Sequence, residues 1–423
     1  MGQRNDVRNI YVYAHWAGMK EPVLMGELKA EFARGKEIFS FSYAEDWLKS
    51  SFSQILDPEL LFYSGSQYAG DEKSNFGVFL DSSPDRWGRI LMKRREAATA
   101  RYEGRTERTF RESDYLLGVF DGHRMGALRF KEDPDGPFLN NNETLVSPPW
   151  TSIRELEQIS LRLEDEDITD DPEYLKWLTM LVNPGSSLGG ARPKASVLDD
   201  KKNLWIAKFP SKTDIKDIGG WEMVANELAR NAGLNVAISQ IQKFSSRFYT
   251  FLTKRFDRTD AGERIHYASA MTMLGYRDGD SFHEGVSYLE IVDFLTNNGA
   301  NIDNDLKELW SRIVFNIFIS NTDDHLRNHG FILTDKGWIL SPAYDINPNE
   351  DGTGLSLNID LDDNSLSLDL PIKVVEYFRL DKDDGLIIID HIRKVVSDWR
   401  RIANKYQLPK SEQEIMAKVF ERF

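Results

Sequence analysis

The sequence predicts an α+β protein whose first part is rich in strands and whose last part is largely helical. Segments such as NIYVYAHW (9–16) and FSFSY (39–43) have the β-branched and aromatic composition of strands. From residue 287 onward, apolar residues recur at helical spacing instead, in SYLEIVDFLTNNG, LKELWSRIVFNIFIS and IIIDHIRKVVSDWRRIANKY. A β-rich part followed by a helical part favours two lobes that face a cleft.

The composition is that of a large globular protein without disulfides. At 423 residues the chain is too long for one ordinary hydrophobic core, and its hydrophobic content is 41%. The absence of cysteine excludes thiol catalysis and cysteine-ligated zinc. A net charge of −15 argues against a surface that binds nucleic acid throughout, but it leaves room for a local basic patch such as Lys93, Arg94 and Arg95.

No segment is expected to enter a membrane. The first residues, MGQRNDVRN, lack the apolar stretch of a secretory signal. The apolar window IVFNIFI (313–319) is too short to span a bilayer. We therefore expect a cytoplasmic protein.

Three strands, one long helix and a final strand-like segment are predicted in the first region, 1–145. NIYVYAHW comes first, then VLMGELKAEF with a glycine break, then FSFSY. The segment 81–104 changes to helical spacing, with Asp81 or a serine as the cap. Its apolar residues recur at that spacing: Trp87, Ile90 and Leu91. GALRF (126–130) ends the region, and the Pro-, Gly- and Asn-rich segment 133–150 marks the boundary.

The second region, 146–255, is predicted to mix helices and strands. Its elements are, in order, a helical stretch from about Ser152 to Leu181, the loop NPGSSLGGARPK, two strands joined by a turn with the second over Asn203–Phe209, a helix over 221–233 and a strand over 248–258. The last of these strands runs into the third region, 256–423, which holds the helices named above. No repeat of 20–50 residues is visible.

One segment between apolar runs concentrates polar side chains: SNTDDHLRNHGFILTDKGWILSPAYD (320–345). Burying them without partners would be costly, so they either face water or bind something. Protein kinases place a catalytic base and a metal-binding asparagine as D-x-x-x-x-N, and Asp323 and Asn328 have this spacing. A predicted hairpin of GFIL and GWIL follows, and then Asp345, where a kinase has a second metal-binding aspartate.

Residues upstream could supply the other parts of a kinase. Lys208 lies on the predicted strand NLWIAKF, and Glu222 on the next helix is a candidate for its acidic partner. The loop GSSLGGARPK (185–194) has glycines that permit close approach to phosphates, although it does not match the Walker pattern. Simpler interpretations are a strand lysine with its head in water, an exposed first-turn glutamate and a plain flexible loop.

The polar segment also has other interpretations. Asp-rich turns are common at helix ends, and His325 and His329 could be solvated or form a metal pair at i and i+4. A metal-dependent phosphohydrolase would use Asp323, Asp324 and Asp345 together with the histidines. A kinase-shaped binding or co-repressor module that has lost catalysis is the third possibility.

Taken together, these segments resemble the HipA family, the bacterial toxin kinases of toxin–antitoxin systems. The motifs that carry the resemblance run through most of the chain: VYAHWAGMKEPVLMGEL, SSPDRWGR, SSLGGARPK, WIAKFP, LARNAGLNV, TKRFDR, NTDDHLRN and PAYDINP. The resemblance implies a two-lobed protein-kinase-like fold with an additional N-terminal β-containing subdomain. Region 1–145 would be that subdomain, 146–255 the kinase-like N-lobe with its phosphate loop, and 256–423 the helical C-lobe.

The resemblance also implies a site for ATP and Mg²⁺. Asp323 would be the catalytic base, while Asn328 and Asp345 would hold Mg²⁺. Lys208 would contact the phosphates, and Glu222 falls where its acidic partner is expected. The other ATP contacts would come from the hinge residues Lys254, Arg255 and Phe256, from His325, and from the loop residues Leu188, Gly189, Gly190, Ala191, Arg192, Pro193 and Lys194.

Ser187 matches the serine that this family autophosphorylates, and Ser186 beside it is the alternative. A phosphoserine adds about −1.5 to −2 charges. Close to the ATP phosphates and the acidic metal ligands, such a group would be expelled together with its loop, which would switch the kinase off. Arg192 and Pro193 depart from the polar residues that other members carry in this loop, which bears on its flexibility.

The resemblance implies partners as well. The substrate would be a protein, with an aminoacyl-tRNA synthetase as the best-known example, and its phosphorylation on serine would stop translation. A small HipB-like helix-turn-helix antitoxin would neutralise the toxin, and operator DNA would be reached mainly through the antitoxin. The acidic balance of the chain fits that arrangement.

Overall fold

The computed structural model describes residues 6–33, 35–70, 72–142, 148–165, 173–181 and 192–423. The chain forms two compact units: unit 1 is Met1–Ile206 with Asp257–Ala268, and unit 2 is Ala207–Phe256 with Ser269–Phe423. The division into 1–145, 146–255 and 256–423 stays a prediction.

The first sheet of unit 1 has five strands: β1 (Asp6–Ala14), β2 (Val23–Ala33), β3 (Lys36–Tyr43), β4 (Gln67–Tyr68) and β5 (Leu128–Lys131). They are antiparallel and lie in the order β4–β3–β2–β1–β5. The strand predicted from the composition of the first segment is observed as β1, and its residues Ile10, Val12 and Ala14 are buried and share one face.

Gly26 lies inside β2 and does not interrupt it, contrary to the break that its glycine predicted. It pairs with Val12 on one side and with Tyr43 on the other. A Cβ at Gly26 would lie 2.3 Å from the carbonyl oxygen of Ser42 and 2.5 Å from the Phe41 ring. The close approach of β3 therefore explains the glycine, and the strand continues to Ala33.

The described helices of unit 1 are α1 (Glu45–Leu48), α2 (Gly77–Asp81), α3 (Arg86–Glu103), α4 (Glu112–Gly118), α5 (Ile153–Arg162) and α6 (Tyr174–Leu181). The helical stretch predicted from Ser152 to Leu181 thus contains α5 and α6, and 166–172 lies outside the described residues. Strand β6 (Lys194–Leu198) and the first three residues of β7 (Leu204–Lys208) also belong to unit 1.

The long helix α3 is capped by Asp85, and not by Asp81 or a serine as its sequence predicted. The Asp85 carboxylate accepts the backbone N–H of Gly88 at 2.8 Å, which satisfies one of the free donors of the first turn. Trp87 and Leu91 are buried as expected, whereas Ile90 is exposed. Asp81 is instead the last residue of α2.

Unit 2 begins at the end of β7 and continues with α7 (Ile218–Asn231), β8 (Ser239–Gln242) and β9 (Thr250–Lys254). Strand β9 lies between β7 and β8. The helix predicted over 221–233 begins three residues earlier, because the carboxylate of Asp217 caps it by accepting the backbone N–H of Gly220 at 2.9 Å. The strand predicted over 248–258 is shorter than expected.

The second part of unit 2 is mainly helical, as predicted. The boundary between the units falls inside β10 (Tyr267–Ser269), whose last residue belongs to unit 2. The elements that follow are α8 (Ala270–Met273), α9 (Tyr288–Asn298), α10 (Ile302–Ile319), β11 (Gly330–Thr334), β12 (Gly337–Leu340), α11 (Asp369–Lys373), α12 (Lys382–Val396), α13 (Trp399–Lys405) and α14 (Lys410–Phe420). Helix α10 is buried without interruption over 309–319 and forms the centre of the core. In the parts of the chain that the structure describes, no helix is long and apolar enough to cross a membrane.

Candidate active site

Lys208 ends β7 as a buried side chain with two acidic partners. Its Nζ donates to Glu222 Oε1 at 2.6 Å and to Asp345 Oδ1 at 2.7 Å. Lys208 is 8% exposed and Glu222, on α7, is 3% exposed, so neither has its charged group in water as the simpler interpretations required. Burial alone would lower the pKa of Lys208, but the carboxylates of Asp345 and Glu222 raise it.

The loop after α10 turns sharply and exposes Asp323. Ser320 follows the helix with a φ of +49°, a left-handed conformation, and its N–H donates to the last turn of the helix. Asn328 Nδ2 then donates to the backbone carbonyl of Asp323 at 2.8 Å. The two ends of the D-x-x-x-x-N motif are therefore in direct contact.

Asn328 offers an oxygen that suits a metal ion. Its Oδ1 is buried and accepts no hydrogen bond from any group in the described part of the chain. A buried amide oxygen without a donor is costly, and Mg²⁺ is a hard cation that takes oxygen ligands. Together with the carboxylate of Asp345, this oxygen gives a donor set that fits Mg²⁺.

Asp323 lies in a field of nearby charges. Partial burial raises the pKa of its carboxyl, His325 acts in the opposite direction, and the carboxylate of Asp345 raises it further. Asp324 also raises the pKa and Lys208 lowers it. A carboxyl with a raised pKa accepts a proton more readily than an ordinary aspartate, which suits a general base.

The predicted hairpin is observed and leads the chain from Asn328 to Asp345. Strands β11 and β12 are antiparallel, with Phe331 opposite Leu340 and Thr334 opposite Gly337. Asp345 itself has a φ of +57°. A left-handed aspartate is uncommon, and such a conformation persists where the surroundings hold it.

Asp324 points away from Asp323 and into the core. Its Oδ2 accepts hydrogen bonds from Tyr288 Oη at 2.5 Å, Asn316 Nδ2 at 2.8 Å and His329 Nε2 at 2.8 Å. Burial would raise the pKa of Asp324, but His329 and Tyr288 hold it below its usual range. With its carboxylate engaged in this way, Asp324 does not fit the role that a phosphohydrolase would give it.

The two histidines of the segment do not act as a metal pair. The ring of His329 is buried and bound to Asp324, whereas His325 is half-buried and its backbone N–H donates to the carbonyl of Asp323. Over the described residues, no three side chains of His, Cys, Asp or Glu form a group that could hold a metal ion.

Of the three predicted hinge residues, Lys254 is the last residue of β9, and Arg255 and Phe256 follow it. The backbone N–H of Lys254 donates to the carbonyl of Ile238 at 2.7 Å, and Arg255 is buried. The ring of Phe256 packs on Tyr344, with 5.5 Å between centroids, and Tyr344 directly precedes Asp345. The Phe256 side chain therefore contacts the residue next to Asp345.

The predicted phosphate loop lies mostly outside the described residues, which include neither Leu188, Gly189, Gly190 and Ala191 nor the serines Ser186 and Ser187. Of the remaining loop residues, Arg192 is half-buried and Pro193 is buried. Lys194 is buried in unit 1, where its Nζ donates to Asp85 Oδ2 at 3.0 Å. Lys194 is therefore fixed by this buried ion pair at the end of the predicted loop.

Three asparagines near the site were not expected to take part: Asn316, Asn321 and Asn347. Asn347 Nδ2 donates to Asp345 Oδ1 at 2.8 Å, on the same oxygen that Lys208 contacts. Asn316 could have been found from the sequence, because it is a lone polar residue in the apolar run IVFNIFI. Asn347 lies two residues after Asp345, and nothing in the sequence around it indicated a role in the site.

This arrangement of lysine, paired acid, loop aspartate and asparagine, hairpin and second aspartate is typical of protein kinases. One solved structure has a similar fold. HipA of Shewanella oneidensis, solved in a complex of HipA, HipB and its operator DNA, matches with a TM-score of 0.65 and 19% sequence identity, over 98% of this chain and 96% of that chain. The predicted kinase-like α+β fold is thereby confirmed.

The sequence model of the HipA-like C-terminal domain matches residues 186–423, which is more than half of the chain. The chain therefore belongs to the HipA family, as its motifs predicted. The serine/threonine-protein kinase toxin HipA of Shewanella oneidensis is 26% identical over 268 residues, 55% of this chain and 59% of that protein. A putative kinase of Haemophilus influenzae is 24% identical over 179 residues, 38% of this chain and 52% of that protein. The chain thus spans between half and three fifths of the length of these curated relatives.

Proposed function

We propose that this chain is an ATP-dependent serine/threonine-protein kinase that acts as the toxin of a toxin–antitoxin system. The observation that carries the proposal is the contact of Lys208 with both Glu222 and Asp345 in unit 2. Kinases need such a fixed lysine on the phosphates and an aspartate on the metal, close to the residue that orients the nucleophile.

Each residue of the site has a task in phosphoryl transfer. Asp323 accepts the proton of the substrate hydroxyl, and its exposure leaves room for that hydroxyl. Lys208 binds the phosphates while Glu222 holds its ammonium group in place. Asn328 and Asp345 would hold Mg²⁺, which would supply positive charge to the phosphates.

The nucleotide would be held by the residues that the family resemblance assigns to it. Lys254, Arg255 and Phe256 would lie along the adenine, with His325 beside the base Asp323. The loop from Leu188 to Lys194 would cover the phosphates. Autophosphorylation of Ser187, or of Ser186, would place a charge of about −2 near other anions and expel the loop, which is the proposed off-switch.

The substrate and partners of this chain are proposed from those of the family. A HipB-like antitoxin would neutralise it and would carry it to operator DNA. The proposal is supported by the Shewanella HipA, which was solved in a complex of HipA, HipB and its operator DNA. The substrate would be an aminoacyl-tRNA synthetase, whose phosphorylation stops translation in the bacterial cytoplasm.

The proposal is tested by the intact mass of the purified protein after incubation with Mg²⁺ and ATP, followed by peptide mapping. We expect a gain of one phosphate, on Ser187. Asp323→Ala should slow this reaction by about 10²–10⁴-fold, the range for loss of a general base. Because Asp323 is exposed, the melting temperature of the Asp323→Ala variant should stay that of the wild type.

Asp335→Ala is the matched control, since Asp335 is an exposed aspartate at the turn between β11 and β12. It should gain phosphate at the wild-type rate. A wild type that is shown to arrive unphosphorylated, binds ATP and still gains no phosphate would contradict the kinase and favour the silent binding module.

A further inference from the structure

A series of amide hydrogen bonds joins Asp324 in the core to Asp345 in the site. Asn316 Nδ2 donates to Asp324 Oδ2 at 2.8 Å, and Asn321 Nδ2 donates to Asn316 Oδ1 at 3.1 Å. The backbone N–H of Asn347 donates to Asn321 Oδ1 at 3.3 Å, and its side chain donates to Asp345 Oδ1 at 2.8 Å. We name the side chains of Asn316, Asn321 and Asn347 the amide relay.

The direction of the amide relay is set by the carboxylate at its inner end. An ionised carboxylate only accepts hydrogen bonds, so Asn316 must present its NH₂ group to Asp324. The oxygen of Asn316 is then the acceptor for Asn321, whose own oxygen is the acceptor for the N–H of Asn347. Each amide therefore has a single orientation that satisfies its neighbours.

Burial makes this orientation costly to change. Asn316 and Asn321 are both buried, so a rotated amide would leave an unsatisfied donor or acceptor away from water. Hydrogen bonds in such a series also polarise one another, which strengthens the whole. The amide relay is thus a rigid connection between the core and the segment that bears Asp345.

The outer end of the amide relay contacts Asp345, whose backbone is left-handed. Asp345 has a φ of +57°, and Asn347 is held two residues later by Asn321. Asn347 and Lys208 both contact Oδ1 of Asp345, so the carboxylate is oriented by one donor from each side chain. If the side chain of Asn347 were removed, Lys208 would be the one of these two donors that still contacts Asp345 Oδ1.

We propose that Asn347 is a positioning residue which, through the amide relay, orients Asp345 for Mg²⁺. This inference rests on the proposed function, in which Asp345 is a metal ligand. Groups that orient a metal ligand typically contribute 10–100-fold to metal affinity. Asn347 therefore acts through Asp345 and need not touch the nucleotide.

The test is the Mg²⁺ dependence of nucleotide binding by the full chain, measured by calorimetry with a non-hydrolysable ATP analogue. With Asn347→Ala, about tenfold more Mg²⁺ should be needed to reach half of the increase in affinity for the analogue that Mg²⁺ causes. Its affinity for the analogue in EDTA and its melting temperature without ligand should stay unchanged. A role in folding alone would lower the melting temperature and leave the Mg²⁺ dependence as it is.

Asn349→Ala is the matched control. Asn349 lies in the same segment, and its Nδ2 donates to Thr322 Oγ1 at 2.7 Å. This variant should keep the Mg²⁺ dependence of the wild type. An equal shift in both variants would overturn the inference, because loosening the segment would then suffice.

Asn321→Ala tests whether the connection extends inward. If the amide relay acts as one unit, Asn321→Ala weakens Mg²⁺ binding, and the double variant with Asn347→Ala is no weaker than the stronger single variant. If the double variant instead weakens Mg²⁺ binding by the product of the two single-variant factors, the relay is overturned. Should Asn321→Ala fail to fold, Asn347→Ala decides alone, and an unchanged Mg²⁺ dependence overturns the inference.

Failure of the inference can be told from failure of the proposed function. A wild type whose nucleotide binding does not depend on Mg²⁺ would overturn the metal role of Asp345, and the relay with it. A wild type with clear Mg²⁺ dependence that Asn347→Ala leaves intact would overturn the relay alone.

Discussion

Lys208 is enclosed by the carboxylates of Glu222 and Asp345, each within hydrogen-bond distance of its ammonium group. Little water reaches these three groups, so the charges compensate one another directly. Removing the lysine leaves two negative charges together in a place of low polarity. Removing one acid leaves a lysine that is still paired.

Lys208→Met should therefore lower the free energy of unfolding by about 3–5 kcal/mol, the usual cost of breaking a buried ion pair from one side. The double variant Lys208→Met/Glu222→Gln should lose less, because it removes one of the stranded charges. Urea unfolding followed by circular dichroism measures both. A double variant that is less stable than Lys208→Met would contradict this account.

At the scale of elements, Asp57 ties a loop to helix α2. Its two carboxylate oxygens accept the backbone N–H groups of Glu59 and Val78, each at 2.9 Å. Burial raises the pKa of Asp57 to about 6. Because the folded state then binds the proton more tightly than the unfolded state, this group favours folding most at low pH.

The contribution of Asp57 should be fully present below about pH 4 and fall as the pH rises through about 6, by at most about 3 kcal/mol. Melting temperatures of the wild type and Asp57→Asn between pH 4 and 7 test this. Asp57→Asn should be less stable, since an amide offers one acceptor to two N–H donors, but its stability should fall less with pH. Asp46→Asn, at an exposed aspartate of α1, should keep the wild-type slope. Equal slopes in all three proteins would refute the role of Asp57.

Elements whose cause is local could be predicted from the sequence. The hairpin of β11 and β12 follows from two apolar runs around a turn, and the contact of Asp323 with Asn328 follows from their spacing. Lys208 was placed on the right strand with Glu222 as its candidate partner, but its contact with Asp345 depends on a residue far along the chain. A sequence pattern that reaches only four residues ahead does not contain such contacts.

Where local chemistry offered equal choices, the sequence could not decide. Asp81, Asp85 and the serines between them can all cap a helix, and in the folded chain Asp81 ends α2 while Asp85 caps α3. The amide relay joins Asn316, Asn321 and Asn347, and no periodicity relates the third of these to the others. Its existence is a property of the folded unit.

At the scale of the whole molecule, the net charge is −15 and the basic residues are locally concentrated. The segment 86–111 has nine basic and three acidic residues. Much of this charge is already engaged: Arg94 donates to the carbonyl of Leu163 at 2.6 Å, and Arg105 pairs with Glu96. Burial also lowers the pKa of Arg95, whereas Lys93 is exposed.

The chain alone should therefore bind duplex DNA weakly. Non-specific binding by DNA-binding proteins has a dissociation constant of about 10⁻⁴–10⁻⁶ M at physiological salt, and we expect this chain to be weaker than that range. Fluorescence anisotropy of a labelled duplex measures it, first with the chain alone and then with a HipB-like antitoxin added. Micromolar binding by the chain alone would contradict the proposal that DNA is reached mainly through the antitoxin.

The left-handed backbone at Asp345 also has an evolutionary consequence. That backbone geometry suits glycine best and asparagine or aspartate less well, whereas the proposed metal role demands a carboxylate. The two requirements conflict, and selection for chemistry must outweigh selection for stability for aspartate to persist. In a descendant released from catalysis, drift should replace this residue with glycine early. Position 345 would then record, in the sequence itself, whether a lineage still transfers phosphate.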